Sequence, residues 1–117
     1  DAVAALLADA CRVMTPGGRI IVSTPDYGGV WPAVEWLLNR LGDVSYEDQH
    51  INKFTKQRLR ETLAAAGFQN VDVRSYLFAA PFAAALGWGF ADLIEKLEPA
   101  FIVDRFGLLL IATADAP

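Results

Sequence analysis

Apolar residues recur at two different spacings along the chain, and each spacing predicts a kind of element. Apolar residues three or four positions apart predict amphipathic helices over about 2–14, 31–41 and 56–66. The β-branched run RIIVST, residues 19–24, predicts a buried strand. Alternating apolar and polar residues over 70–78 predict a second strand with one more polar face.

The rest of the chain completes an alternating pattern. Residues 43–54 are polar and aperiodic, which predicts an ordered loop, and Thr55 is a suitable N-cap for the helix that follows. Pro81 opens a third long helix that is predicted to reach about Leu97, and Phe106 to Ala114 is a final apolar strand. The order α-β-α-α-β-α-β predicts a layered α/β sheet with helices on its faces.

Composition narrows the class of protein. The 117 residues suit one domain, and the 54% hydrophobic content excludes an intrinsically disordered chain. The net charge of −4 argues against a nucleic-acid-binding module, which usually carries a basic surplus. A single cysteine, Cys11, cannot form an intrachain disulfide. We see neither a basic signal-peptide start nor an uncharged apolar run of membrane-spanning length, so we expect a cytoplasmic protein.

Three segments resemble one known family. Residues 12–25, RVMTPGGRIIVSTP, resemble the stretch RVLKPGGRLVLSTP of the class I (Rossmann-like) methyltransferases that use S-adenosylmethionine, where it joins the fourth helix to the fifth strand. Residues 65–68, AAGF, resemble the segment before the sixth strand, and residues 106–114 resemble the seventh strand. The seventh strand of that family runs antiparallel between the fifth and the sixth. The resemblance implies a partial three-layer sheet, so that residues 1–117 are the C-terminal half of a methyltransferase domain.

The cofactor motif of that family has no counterpart in this sequence. The family binds S-adenosylmethionine with a Gly-rich turn after the first strand and an acidic residue after the second. The pairs Gly17-Gly18 and Gly28-Gly29 lack the G-x-G-x-x-G spacing and do not follow a first strand. The resemblance therefore implies S-adenosylmethionine as the cofactor, but no cofactor-binding residue in this chain. We expect the isolated chain to be inactive without a missing N-terminal half.

Candidate acceptor-binding residues follow the first predicted strand. Open α/β sheets bind ligands at the carboxyl ends of their strands, which places Asp26 and Tyr27 where a substrate could lie. The segment His-x-Asn-x-Phe, with His50 and Asn52, also resembles a substrate-facing region of the family. Two interpretations of His50 are open: a general base that titrates near neutral pH, or an anchor that holds the loop. We expect no metal site, because one histidine without a second ligand at fixed spacing does not make one.

The apolar segment at about 79–98 reads as a helical insertion between the second and third predicted strands. It is apolar nearly all round in its first half, so it must bury more than one face. It could pack on the sheet or on a partner subunit, close as a lid over a hydrophobic acceptor, or enter a membrane surface. Its acidic balance makes the membrane the weakest of these. Phe82 in this segment and Trp31 on the earlier helix could line one apolar acceptor pocket.

Two functions from different classes fit these observations. The first is methyl transfer from S-adenosylmethionine to a small or lipid-like acceptor, with this chain supplying the acceptor-side half. The alternative is a non-catalytic α/β module that self-associates or binds a partner through its apolar surface, because residues 19–24 would form an unpaired edge strand. A third hypothesis is a membrane-associated lipid-binding domain.

Overall fold

The computed structural model describes residues 2–42 and 52–117. Within these residues the chain forms one three-stranded sheet and six α-helices. In chain order the elements are α1 (Ala2–Val13), β1 (Arg19–Pro25), α2 (Trp31–Leu41), α3 (Lys56–Ala65), β2 (Gln69–Tyr76), α4 (Ala80–Ala83), α5 (Trp88–Leu97), α6 (Ala100–Phe106) and β3 (Leu109–Asp115). A single 3-10 turn, Ala84–Leu86, leads from α4 towards α5. Most of the loop predicted over residues 43–54, including the candidate base His50, lies outside the described residues.

The sheet has the strand order β1-β3-β2, and β3 runs antiparallel to both neighbours. Pro25 at the end of β1 and Tyr76 at the end of β2 are both opposite Leu109, the first residue of β3. The carboxyl ends of β1 and β2 therefore meet at the same edge of the sheet. This arrangement confirms the predicted fold class, including the last strand inserted in reverse direction between the other two.

The hydrophobic core lies where α1 and α3 cover one face of the sheet. Leu59 and Leu63 on α3 are fully buried, and they pack with Leu110 of β3 and Val73 of β2. The predicted spacing along α3 is confirmed, as is its cap. The hydroxyl of Thr55 accepts a hydrogen bond of 3.3 Å from the backbone N–H of Arg58, which satisfies one of the free donors at the helix start.

The prediction that residues 19–24 form a strand is confirmed, but the prediction that this strand is buried is wrong. Only Ile20 and Val22 turn towards the core, while Arg19, Ile21 and Ser23 are exposed. The cause is the position of β1 at the edge of the described sheet, where helices cover one face. The alternation predicted for the strand after residue 69 is confirmed, with Val73 and Ser75 buried.

The segment after β2 departs most from the prediction of one helix between Pro81 and about Leu97. Gly87, with φ of 122°, separates the 3-10 turn from α5, because few other residues adopt that backbone conformation. The chain then forms an additional helix, α6, after Pro99. Phe106 belongs to this helix, so the last strand starts at Leu109 and not at Phe106.

The described helices are short. Across residues 2–42 and 52–117, none is both long enough and apolar enough to cross a membrane.

Candidate functional site

Asp26 is buried directly after the end of β1. Its side chain is 2% exposed, and its carboxylate accepts hydrogen bonds of 2.6 Å from the Ser75 hydroxyl on β2 and 2.9 Å from the backbone N–H of Gly28. The backbone N–H of Asp26 also donates to the carbonyl of Leu108 at 2.8 Å. Because β3 separates β1 from β2, this carboxylate fixes the two outer strands to each other at their carboxyl ends.

Two glycines allow the chain to pack tightly around this carboxylate. A Cβ atom at Gly29 would lie 2.3 Å from the carbonyl oxygen of Gly107, and a Cβ atom at Gly107 would lie 2.8 Å from the Cβ atom of Ser75. Neither position has room for a side chain. The loop after β1 therefore has its conformation set by Asp26, Gly29 and Gly107 together.

Tyr27 leads from this fixed loop into a groove beside α2. Its backbone N–H donates to the carbonyl of Phe54 at 3.0 Å, and its hydroxyl donates to the carboxylate of Glu35 at 2.8 Å. The ammonium group of Lys53 lies 5.5 Å from the centre of the Tyr27 ring, within cation–π range. The groove has a volume of about 290 Å³, and its lining includes Trp36 and Asn39.

Glu35 is a residue that the sequence-based reasoning missed. It is 6% exposed, whereas the apolar residues of the same helix, Leu37, Leu38 and Leu41, are exposed. The burial of α2 is therefore the reverse of the apolar stripe that the sequence predicts. The available signal was a lone carboxylate in the segment WPAVEWLLNRL, which is otherwise almost uncharged. A buried carboxylate needs hydrogen-bond partners, and Tyr27 supplies one.

The other predicted acceptor residues are placed as follows. Trp31 is half-buried at the first position of α2, and Asn52 is half-buried ahead of α3. Phe82 lies on α4, next to the end of β2 along the chain, and its side chain is largely exposed. His50 lies outside the described residues.

A second groove, mainly apolar, lies at the carboxyl end of β2. It has a volume of about 340 Å³ and is bounded by Tyr76, the start of α4 and the first two turns of α5. Its two sides are joined by Glu98, whose carboxylate accepts hydrogen bonds from the backbone N–H groups of Phe78, Ala79 and Ala80. This contact brings the end of α5 back to the start of α4.

Among the described residues, an ion pair that shifts the pKa of both partners lies at the opposite end of the sheet. Arg19 donates to Asp115 at 2.8 Å, and Asn70 donates to the same carboxylate at 3.1 Å. The hydrogen bonds from Arg19 and Asn70 hold the pKa of Asp115 below its ordinary value. The Asp115 carboxylate in turn raises the pKa of Arg19. This pair closes the amino end of β1 and is remote from both grooves.

The described residues offer no ready metal centre. Across residues 2–42 and 52–117, no group of three His, Cys, Asp or Glu side chains is placed to hold a metal ion.

Comparison with known proteins assigns the family. The sequence model of the methyltransferase domain family matches residues 1–73, which is more than half of the chain. The chain therefore belongs to the methyltransferase domain family. No curated protein matches the chain by sequence.

Two solved structures share the fold. A SAM-dependent methyltransferase of Thermotoga maritima, described as a possible histamine N-methyltransferase, has a TM-score of 0.61 at 15% identity, over 97% of this chain and 48% of its own. A SAM-dependent methyltransferase of Archaeoglobus fulgidus has a TM-score of 0.59 at 12% identity, over 97% of this chain and 51% of its own. The chain thus spans about half the length of the solved structures that it resembles.

Proposed function

We propose that this chain supplies the acceptor-side half of an S-adenosylmethionine-dependent methyltransferase that acts on a small or lipid-like acceptor. One observation carries the proposal beyond the family. The carboxyl ends of β1 and β2 meet at one edge of the sheet, and each is followed by a groove of the size that small ligands occupy. In open α/β sheets this edge is where ligands bind.

The residues present do not fit the cofactor. The Gly17–Gly18 turn lies at the amino end of β1, and its N–H groups donate to the carbonyls of Ala116 and Thr15. In the second glycine pair, Gly28 donates to the side chain of Asp26 and Gly29 to its carbonyl. Both turns therefore satisfy their donors within the chain. We place S-adenosylmethionine, which supplies an activated methyl group when it binds, on a part of the protein outside these residues.

This chain's own part in the reaction would be to hold the acceptor. Methyl transfer needs the acceptor atom in line with the methyl group, so rigid walls contribute to the rate. Asp26 fixes the loop that carries Tyr27, and Tyr27 with Glu35 presents polar groups beside the ring of Trp36. Phe82, Trp31 and Asn52 extend the proposed acceptor surface. His50 stays a proposed general base, with the loop anchor as its alternative.

The domain boundaries form part of the same proposal. Residues 1–117 would be one half of a longer domain, with the apolar insertion at about 79–98 over the acceptor. Within the described sheet, β1 pairs with β3 on one side, and its other side is open to a further strand. The cytoplasmic location expected from the sequence also stays a prediction.

Calorimetric titration with S-adenosylmethionine tests the proposal. The chain would be compared with a longer protein that includes the coding sequence upstream of Asp1. We expect the longer protein to bind the cofactor with micromolar affinity and the chain alone to show no heat of binding. Micromolar binding by the chain alone would overturn the placement of the cofactor site. Failure of the longer protein to bind would overturn the enzymatic function.

His50 can be tested in that longer protein. With a general base at this position, His50→Gln lowers kcat at saturating acceptor, and the acidic limb of the pH profile disappears. With a loop anchor, the same substitution lowers thermal stability and leaves the shape of the pH profile unchanged.

The alternative function, self-association without catalysis, is favoured by one observation. Ile21 on β1 and the apolar residues Leu37, Leu38 and Leu41 of α2 are exposed. Sedimentation equilibrium of the chain distinguishes the cases. A concentration-dependent dimer that Ile21→Lys abolishes supports self-association, whereas a monomer at all concentrations contradicts it.

A further inference from the structure

The apolar groove beside β2 carries charge of one sign. Its base is formed by Ala80 and Ala91, which are both buried. Its charged lining groups are Asp92 and Glu95 of α5, three residues apart and thus on one face of the helix. The hydroxyl of Tyr76 lies 3.4 Å from the carboxylate of Glu95. The groove therefore combines an apolar base with an acidic edge.

Trp88 adds an aromatic surface to the same edge. It precedes Asp92 by four residues, so the two side chains are neighbours on α5, and its side chain is 81% exposed. An aromatic ring beside carboxylates attracts cations by both its quadrupole and the adjacent charge. Lys96 of the same helix is not among the residues that line the groove.

We propose that this groove binds an amphipathic organic cation, with its apolar body on the alanine base and its ammonium group between Asp92 and Glu95. Charge complementarity selects this occupant. A neutral alcohol of the same length would bury the same apolar surface but gain no attraction from the carboxylates, and a fatty acid would be repelled. The volume of about 340 Å³ is at the lower end of ligand sites, which limits the occupant to a small molecule.

This inference rests on the proposed function and deepens it, because it names the acceptor class as an amine with an apolar body. The amine would bind as its ammonium form and release one proton to solvent before the nitrogen lone pair attacks the methyl group of the sulfonium, which leaves as the neutral thioether. The binding step itself does not depend on methyl transfer. It can therefore be measured on the full chain without any cofactor.

The test is a titration with three probes of equal chain length: octylamine, octanol and octanoate. Each is added below its micelle concentration at neutral pH and low ionic strength, and binding is followed by calorimetry. We expect octylamine to bind tighter than octanol by roughly three- to tenfold, since exposed ion pairs contribute modestly. Octanoate should bind weakest of the three.

Two double variants make the test specific. Asp92→Asn with Glu95→Gln should abolish the advantage of octylamine and leave octanol binding unchanged. Asp9→Asn with Glu61→Gln changes the net charge equally on exposed residues of α1 and α3, so it should preserve the advantage. Trp88→Ala should weaken all three probes. Thermal unfolding of each variant confirms that it folds.

Three outcomes would overturn the inference: equal affinity for octylamine and octanol, an amine advantage that survives loss of Asp92 and Glu95, or no saturable binding. None of these outcomes bears on the titration with S-adenosylmethionine in the longer protein. The two experiments therefore distinguish a failure of the amine-binding inference from a failure of the proposed methyltransferase function.

Discussion

The regions before and after β2 differ in how far they bury their apolar side chains. Before β2, α3 buries Leu59 and Leu63 fully against the sheet. After β2, the segment from α4 to α6 leaves Leu86 at 79% and Phe101 at 75% exposed. The helix with the buried leucines, α3, is mostly polar in composition (KQRLRETLAA), whereas α5 is mostly apolar (WGFADLIEKL), so a high apolar content does not by itself indicate burial. The difference is periodic placement in the first region and apolar residues on most faces in the second.

This contrast separates stability from recognition within one small chain. The apolar residues of α3 contribute to folding through the water-exposed area that they lose. Those of the later segment contribute little to folding of this chain, because they remain in contact with water. They would contribute to stability only if a partner or ligand covered them and removed them from water.

The largest expected effect is therefore loss of core packing. Leu63→Ala should lower the free energy of unfolding by about 3 kcal/mol, because it leaves a cavity between α3 and the sheet. Leu86→Ala, which removes an equally large but exposed side chain, should change it by less than about 0.5 kcal/mol. Urea denaturation measures both variants. Similar losses would mean that the segment after β2 is as well packed as the core.

A smaller effect is expected where the site itself is fixed. A double-mutant cycle of Asp26→Asn and Ser75→Ala should give a coupling energy of about 1–3 kcal/mol, because the hydrogen bond is buried and charge-assisted. Ser23→Ala, at an exposed position of β1, is the matched control and should be nearly neutral. Additive effects of the two substitutions would contradict the link between the outer strands.

A local effect is expected at the base of the apolar segment. Glu98→Gln weakens three backbone hydrogen bonds, so the amides of Ala79 and Ala80 should exchange with solvent roughly five- to tenfold faster, while global stability changes little. Hydrogen exchange followed by NMR resolves these positions. Glu95→Gln on the same helix is the control, and unchanged exchange in Glu98→Gln would show that the carboxylate is not what joins α4 to α5.

The smallest effect concerns pH. The pKa of Asp115 is lower in the folded than in the unfolded chain, so its contribution is complete above the unfolded value and is lost as pH falls through the folded value. Between about pH 5 and pH 3, the urea midpoint should fall less in Asp115→Asn than in the parent chain. Arg19→Gln should reproduce this difference, since Arg19 is the main cause of the shift. Equal pH dependence in all three proteins would contradict it.

Much of the first region could be predicted from the sequence, because its information is local. Leucine spacing and the Thr55 cap place α3 to within a residue, and the double glycine after α1 places β1. The last strand could be placed between the other two only through the family resemblance. Spacing along the chain does not encode which strands are neighbours.

The features that the sequence did not predict depend on contacts between distant residues. Glu35 is buried because Tyr27 reaches it from another element, and Glu98 is bound by amides about twenty residues earlier. Such contacts depend on tertiary approach and leave no periodic trace. Gly87 is a possible helix break in the sequence, but the apolar run on both sides of it favours one continuous helix.

The central position of β3 has a consequence for how the sheet assembles. Each strand pairing in the described sheet includes β3, and Arg19 pairs with Asp115 from the far end of the chain. During synthesis, β1 and β2 would leave the ribosome before β3, which is their only partner among the described strands. The sheet therefore forms only when its last strand is available, and its pairings join residues that are far apart in the sequence. Such a topology of high contact order favours slow folding, which gives the unpaired strand edges time to associate with other chains.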